Sequence, residues 1–198
     1  PDERILVTGS PKFDIFHHYR PQLDREGFAS IFGLDPERPI LLFAGQPLDS
    51  QVDSQRFAIA RQAQAIADLL DVAEEIGAQV VIRQPPARKV IVGKPERERI
   101  DASIDFAIDG PVKFAVSPEE ALYHANAILS VNSSMLFEAV LMGRPSISMP
   151  YFEFEQIWQK LDIARAPNRE DLRRLLLEAL DKGEPMVSAN GMGWEGRE

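Results

Sequence analysis

Short runs of uninterrupted apolar residues, each closed by turn residues, alternate along this chain with stretches whose apolar residues recur every three or four positions. A run such as Ile40-Leu41-Leu42-Phe43 is apolar on both sides of the pleat, so a strand made from it must be covered on both faces. Doubly covered strands separated by helices are the signature of a parallel sheet with crossover helices. The expected fold class is therefore α/β, a parallel sheet with helices on both faces. Strands are expected at 5–8, 40–44, 79–82, 112–115, 127–131 and 146–149.

The helices have clearer ends. Ile59, Ala63, Ile66, Leu70, Ala73 and Ile76 put one apolar stripe on a long helix over about 54–76, and Gly77 stops it as a left-handed cap. Ser117-Pro118-Glu119-Glu120 reads as a helix start: Ser117 caps, Pro118 takes the first position and Glu120 completes a capping box. Leu172, Leu175, Leu176, Ala179 and Leu180 form the stripe of a last helix, capped by Asn168, with Glu170 and Asp171 in its first turn. The segment 84–110 is rich in charge and proline, and a helix around 96–106 is the one element expected there.

Composition removes whole classes of function. The chain has 198 residues and no cysteine, which excludes disulfides, cysteine-ligated zinc, iron–sulfur clusters and a thiol nucleophile. With 22 Lys+Arg against 31 Asp+Glu the net charge is −9, unsuited to a general nucleic-acid or anionic-membrane binder. No apolar run approaches the roughly 20 residues of a membrane-spanning helix, and no signal peptide is visible. At this length one domain is expected, and the start at Pro1 suggests a piece of a longer protein.

In an open parallel sheet, ligands bind beyond the carboxyl ends of the strands. The loop best suited to that task is Val131-Asn132-Ser133-Ser134, where a buried strand passes through small polar residues into a helix. With Asn132 or Ser133 as its cap, that helix is expected to offer unpaired N–H groups and two hydroxyls to a phosphate or diphosphate. Glu138 lies within the first turns, where a carboxylate can accept both hydroxyls of a ribose. Simple helix capping by Asn132-Ser133-Ser134, with Glu138 in solvent, explains the same residues.

The run Ser117 to Ile147, with its Ser130-Val131-Asn132-Ser133-Ser134 turn, Glu138-Ala139 pair and Gly143-Arg144-Pro145 turn, resembles the donor-binding C-terminal half of GT-B-fold glycosyltransferases. Their relatives include the UDP-N-acetylglucosamine 2-epimerases and the capsule and teichoic-acid polymer transferases. Val7-Thr8-Gly9-Ser10-Pro11-Lys12-Phe13-Asp14 is similar to the interdomain linker of those families, and Phe43-Ala44-Gly45-Gln46-Pro47 to their first C-domain strand and loop. The likeness runs over about residues 5–182 and implies a Rossmann-like domain at 36–182, a linker strand and helix at 1–35 and an irregular tail at 183–198.

The same resemblance implies roles for particular residues. Ser133 and Ser134 would hold the donor diphosphate and Glu138 the ribose. Lys113 and Phe114, on a strand at 112–116, would offer backbone groups to the base, and Gly45 and Gln46 would approach from the first loop. Arg83 and Arg88 flank a loop in which relatives carry a His-Pro pair; here it reads Arg83-Gln84-Pro85-Pro86, which puts any role of that histidine in doubt, while a lone Arg88 is equally well explained as a solvated side chain. The implied partner is a nucleotide sugar linked to UDP, CMP, CDP or GDP, together with a missing N-terminal acceptor domain. No cofactor is implied, and the location is cytoplasmic, the inner face of the membrane included.

Other motifs carry less. Gly191-Met192-Gly193-Trp194-Glu195-Gly196 matches G-x-G-x-x-G without a preceding strand, and Gly93-Lys94-Pro95 lacks the rest of a P-loop. His17 and His18 are adjacent, so on a helix they point apart, and with only His124 besides them no metal site is expected. No catalytic residue can be named within the chain. Rival readings are a fragment of a UDP-sugar 2-epimerase, disfavoured by the single acid after Ser133, a CDP-polyol phosphotransferase, a non-catalytic donor-binding subunit, or an α/β domain that binds no nucleotide.

Overall fold

A computed structural model describes residues 11–47, 55–86, 91–151 and 163–182. Within them lie six strands: β1 (Ile40–Ala44), β2 (Gln79–Arg83), β3 (Phe106–Asp109), β4 (Ala127–Ser130), β5 (Ser146–Ser148) and β6 (Ala164–Arg165). The helices are α1 (Asp14–His18), α2 (Arg25–Phe32), α3 (Gln55–Ile76), α4 (Lys94–Asp101), α5 (Pro118–His124), α6 (Met135–Leu141) and α7 (Arg169–Lys182). All strand pairs are parallel, in the order β3-β2-β1-β4-β5-β6. The expected α/β class, a Rossmann-like sheet with helices on both faces, is the class observed.

The continuous apolar runs are what let the sheet be covered twice. Alternate residues of β1 serve opposite faces: Leu41 and Phe43 pack with Ile66, Leu69 and Leu70 of α3 and Leu172 and Leu176 of α7. Ile40 and Leu42 pack instead with Phe28 and Ala29 of α2 and Leu136 and Ala139 of α6. Every residue of β1 is buried, as is every residue of β2. The helix α3 ends at Gly77 with φ +69°, the left-handed conformation its sequence position calls for. Ser117 accepts from the Glu120 N–H, and Asn168 Oδ1 from the Asp171 N–H, so both expected caps are made.

Four expectations need correction. Residues 112–115 are not a strand; the third strand is Phe106–Asp109, and Val112 is 89% exposed. The helix expected at 96–106 is α4, at Lys94–Asp101. Glu120 does not turn back to close a capping box: its carboxylate accepts from the Tyr19 hydroxyl, from the Gln22 N–H at 3.1 Å and from the Leu23 N–H at 2.9 Å. The cap position of α6 is Ser134 rather than Asn132 or Ser133, and the Ser134 side chain makes no cap hydrogen bond. The short edge strand β6 has no counterpart among the expected strands. Strand 5–8, the tail 183–198 and its glycine motif lie outside the described residues.

Candidate functional site

The strand order reverses between β1 and β4. From β1 the chain builds outward through β2 and β3; from β4 it builds the other way through β5 and β6. The loops leaving β1 and β4 therefore diverge to opposite faces and open a crevice between them, the place where ligands enter sheets of this order. Those two loops are Gly45-Gln46-Pro47 and Val131-Asn132-Ser133-Ser134, the second leading into α6. The fold thus brings together six of the ten candidate residues: Gly45, Gln46, Asn132, Ser133, Ser134 and Glu138.

Hydrogen bonds weld the crevice floor. Ser130 Oγ donates to the Ala44 carbonyl at 2.6 Å and accepts from the Ser133 N–H at 3.2 Å, tying the two strand ends together. Gln46 is buried, and its Oε1 accepts from the Asn132 N–H at 3.0 Å across the crevice. Gln62 of α3 holds Gln46 in turn, its Nε2 donating to the Gln46 carbonyl at 3.1 Å. Gly45 is required by close approach: a Cβ there would lie 2.1 Å from Ile91 Cδ1 and 2.9 Å from the Arg83 carbonyl oxygen. That side of Gly45 is therefore filled by Ile91.

The expected cluster of unpaired amides is smaller than the sequence suggests. The Asn132 and Ser133 N–H groups are taken by Gln46 and Ser130, and the Met135 N–H meets Ser133 Oγ at 3.3 Å. Short polar side chains near a turn compete for the same donors a ligand would use. Ser134 is the exception: it is exposed, and no described residue accepts from its N–H.

Glu138 is 5% exposed and faces the start of its own helix. Ser134 Oγ donates to Glu138 Oε1 at 3.0 Å, one helical turn away. Lys12 approaches the same oxygen at 3.4 Å. Among the described residues nothing donates to Oε2, which leaves one acceptor oxygen uncommitted at the crevice. Beside the pair, the Phe13 ring meets Phe137 edge-on at 5.0 Å, so the segment carrying Lys12 is seated on α6. Lys12 belongs to the linker motif but is not among the site residues that sequence reasoning nominates. Its partner lies 126 positions away, and no local pattern could announce the pair.

Arg83, Phe114 and Lys113 form or flank a second cluster, at the carboxyl ends of β2 and β3. Arg83 is buried, ion-paired with Asp109, and donates to the Val116 carbonyl at 3.1 Å. Its guanidinium lies 4.4 Å from the centre of the Phe114 ring. Asp109 Oδ1 also accepts from the Ala115 N–H at 2.7 Å. Burial pushes the Arg83 guanidinium down and the Asp109 carboxyl up, and each charge offsets the cost of the other. Arg83 is thus spent on fixing the loop 110–117, and Lys113 is exposed upon it. The Gly45 N–H donates to the Arg83 carbonyl at 2.9 Å, which joins the two clusters through the backbone. Arg88 lies outside the described residues.

His17 and His18 are exposed on α1, while His124 is buried against Phe28 and bonds Glu120 at 3.1 Å, so the three do not converge. Among the described residues no group of three potential metal ligands occurs, and no helix is long and apolar enough to cross a membrane.

Comparison with known proteins gives the fold a setting. No protein-family model matches the sequence, and no curated protein sequence does. Among solved structures, the UDP-GlcNAc 2-epimerase of Methanocaldococcus jannaschii, in complex with UDP-GlcNAc and UDP, matches with a TM-score of 0.61 at 16% identity, over 91% of this chain and 49% of that one. One variant of the wall teichoic acid polymerase TagF matches at 0.56 and 19% identity, over 92% of this chain and 44% of that one. A second TagF variant matches at 0.54 and 14% identity, over 98% and 50%. The chain shares its fold with part of these proteins and spans about half their length.

Proposed function

We propose that this chain is the nucleotide-sugar-binding half of a GT-B-type glycosyltransferase of surface-polysaccharide assembly, catalytically incomplete without an acceptor-binding half. The observation that carries the reading is Glu138, a nearly buried carboxylate tied to Ser134 and Lys12 at the one point of the sheet where strand order reverses. In this reading Glu138 Oε2 accepts from the ribose hydroxyls, since an ionised carboxylate is acceptor-only. The donor diphosphate meets the Ser134 N–H, the Ser133 hydroxyl and the Lys12 ammonium. Gln46 keeps the Asn132 amide and sets the width of the crevice. The loop 110–117, fixed by Arg83 and Asp109, presents Lys113 and Phe114 to the base.

Catalysis in the complete enzyme would rest on positioning and on stabilising the departing diphosphate by fixed N–H and hydroxyl donors and a cation. The general base would come from the other half. The reading places the protein in the cytoplasm, where it meets its nucleotide sugar. Calorimetry of the chain with UDP, CMP, CDP and GDP tests it. One of the four should bind, and Glu138→Ala should weaken that nucleotide by about tenfold, the worth of one charge-assisted hydrogen bond. Absence of binding by all four at millimolar concentration refutes the proposal.

A further inference from the structure

We propose that a cavity at the opposite, amino edge of the sheet is a second binding site, for the phosphate group of a small polar phosphomonoester. The cavity is open to solvent, has a volume of about 420 Å³ and is lined by Asp24, Arg25, Tyr123, His124, Asn126 and Arg144, among others. Asn126 immediately precedes β4 and Arg144 lies two residues before β5, so the cavity is separated from the crevice by the length of the strands.

The two arginines differ from the ion-paired arginines among the described residues. Arg38, Arg83, Arg97, Arg99, Arg169 and Arg174 each pair with an Asp or Glu. Arg144 is half-buried, and no described residue accepts from its guanidinium, which lies 5.1 Å from the centre of the Tyr123 ring. Its backbone is fixed, the N–H donating to the Ala139 carbonyl at 2.9 Å in the turn before Pro145.

Arg25 has partners, but they are neutral. Its Nε donates to the Pro36 carbonyl at 3.1 Å, its Nη2 to the Arg38 carbonyl at 2.9 Å and to Asn126 Oδ1 at 3.0 Å, and its Nη1 to the His124 carbonyl. Two guanidinium charges therefore share one cavity with no carboxylate bonded to either. Burial lowers the proton affinity of both; the field of Arg144 lowers that of Arg25 further, against a smaller opposing field from Glu37, and Tyr123 opposes the shift of Arg144.

The remaining polar wall adds an amide and a single carboxylate. Asn126 Oδ1 is spent on Arg25 and on the Ile40 N–H at 2.9 Å, which leaves its Nδ2 donors with no described acceptor. The one acid in the lining, Asp24, is the cap of α2, its Oδ1 accepting from the Gly27 N–H at 2.7 Å. A cavity with a whole guanidinium fork, a second cation and an amide to spare asks for a multidentate oxyanion. Donors arriving from separate elements suit the three oxygens of a phosphate better than the two of a planar carboxylate. The volume exceeds that of a phosphate alone and leaves room for a polar body.

This inference is independent of the nucleotide reading. The test is a ¹⁵N NMR titration of the full chain, following arginine Nε–Hε resonances, with inorganic phosphate, with glycerol 3-phosphate, and with phosphatidylcholine vesicles doped with phosphatidic acid. The Arg144 resonance should shift saturably with inorganic phosphate, and glycerol 3-phosphate should displace it. Displacement by the vesicles as well would assign the phosphate to a lipid headgroup; its absence would assign it to a soluble ester. Arg144→Gln should weaken phosphate binding by about tenfold or more and Arg144→Lys by less, because lysine keeps the charge but loses the fork. Neither should change the nucleotide titration at the crevice. The proposal is overturned if the Arg144 signal of the unmodified chain shows no saturable shift, or if a folded Arg144→Gln protein binds phosphate as before.

Discussion

At the scale of single residues, Glu138 and Glu120 are two buried carboxylates with different work to do. Glu120 is fully engaged: Tyr19, Gln22, Leu23 and His124 all meet it, so it fastens the segment before α2 to α5. Burial alone would raise its proton affinity, but those hydrogen bonds outweigh burial and hold the carboxyl below its usual range. They favour the charged form, so their stabilisation is present above the ordinary Glu value near 4.3 and fades as pH falls through the lowered value. Glu120→Gln should therefore cost about 2–3 kcal/mol at neutral pH, with a gap to the unmodified chain that narrows below about pH 4, as read by urea unfolding at stepped pH. The Tyr19 hydroxyl, partly desolvated and bonded to Glu120, is pushed up to about 12 and stays protonated throughout that range. Gly45→Ala should destabilise by about 1–3 kcal/mol in the same assay, because its Cβ would strike Ile91 and the Arg83 carbonyl. The local motif nominates Ser134 and Glu138 each for a ligand, and not for the hydrogen bond that joins them. Lys12, held to Glu138 only by tertiary packing, leaves no mark in that motif.

At the scale of elements, the ends of helices and the fully buried strands were the readable parts. Ser117, Asn168 and Gly77 act where their side chains or lack of one demand. The misplaced strand at 112–115 shows where such reading fails. Val112-Lys113-Phe114-Ala115-Val116 has the more strand-like composition, yet Asp109 captures the Ala115 N–H and Arg83 captures the Val116 carbonyl and the Phe114 ring, so the segment is a loop. The true strand, Phe106–Asp109, is an edge strand with two of its four residues only partly buried, which blurs its pattern. The two placements differ in outcome: Val112→Thr should change stability by less than about 0.5 kcal/mol, whereas Phe106→Ala should cost about 2–4 kcal/mol. Thermal unfolding of the two variants distinguishes them.

At the scale of the whole molecule, the sequence order of strands and the spatial order are what create a site. The same loops on a sheet without a reversal between β1 and β4 would lie over helices and leave no crevice. The α/β class was legible because continuous apolar strands admit few architectures. The spatial order of the strands was not, since a parallel strand pair leaves no mark on local sequence. The crevice and the amino-edge cavity lie at opposite ends of the strands, one built around a carboxylate and the other around two guanidiniums. The central claim is that a nucleotide enters the first of these ends. The most direct measurement is a ¹⁵N amide shift map of the chain with whichever of UDP, CMP, CDP or GDP binds. The largest shifts should fall on Gln46, Ser133, Ser134 and Glu138, and Glu138→Ala should suppress them. Shifts confined to residues around Arg25 and Asn126, or no shift at either end, would contradict that claim.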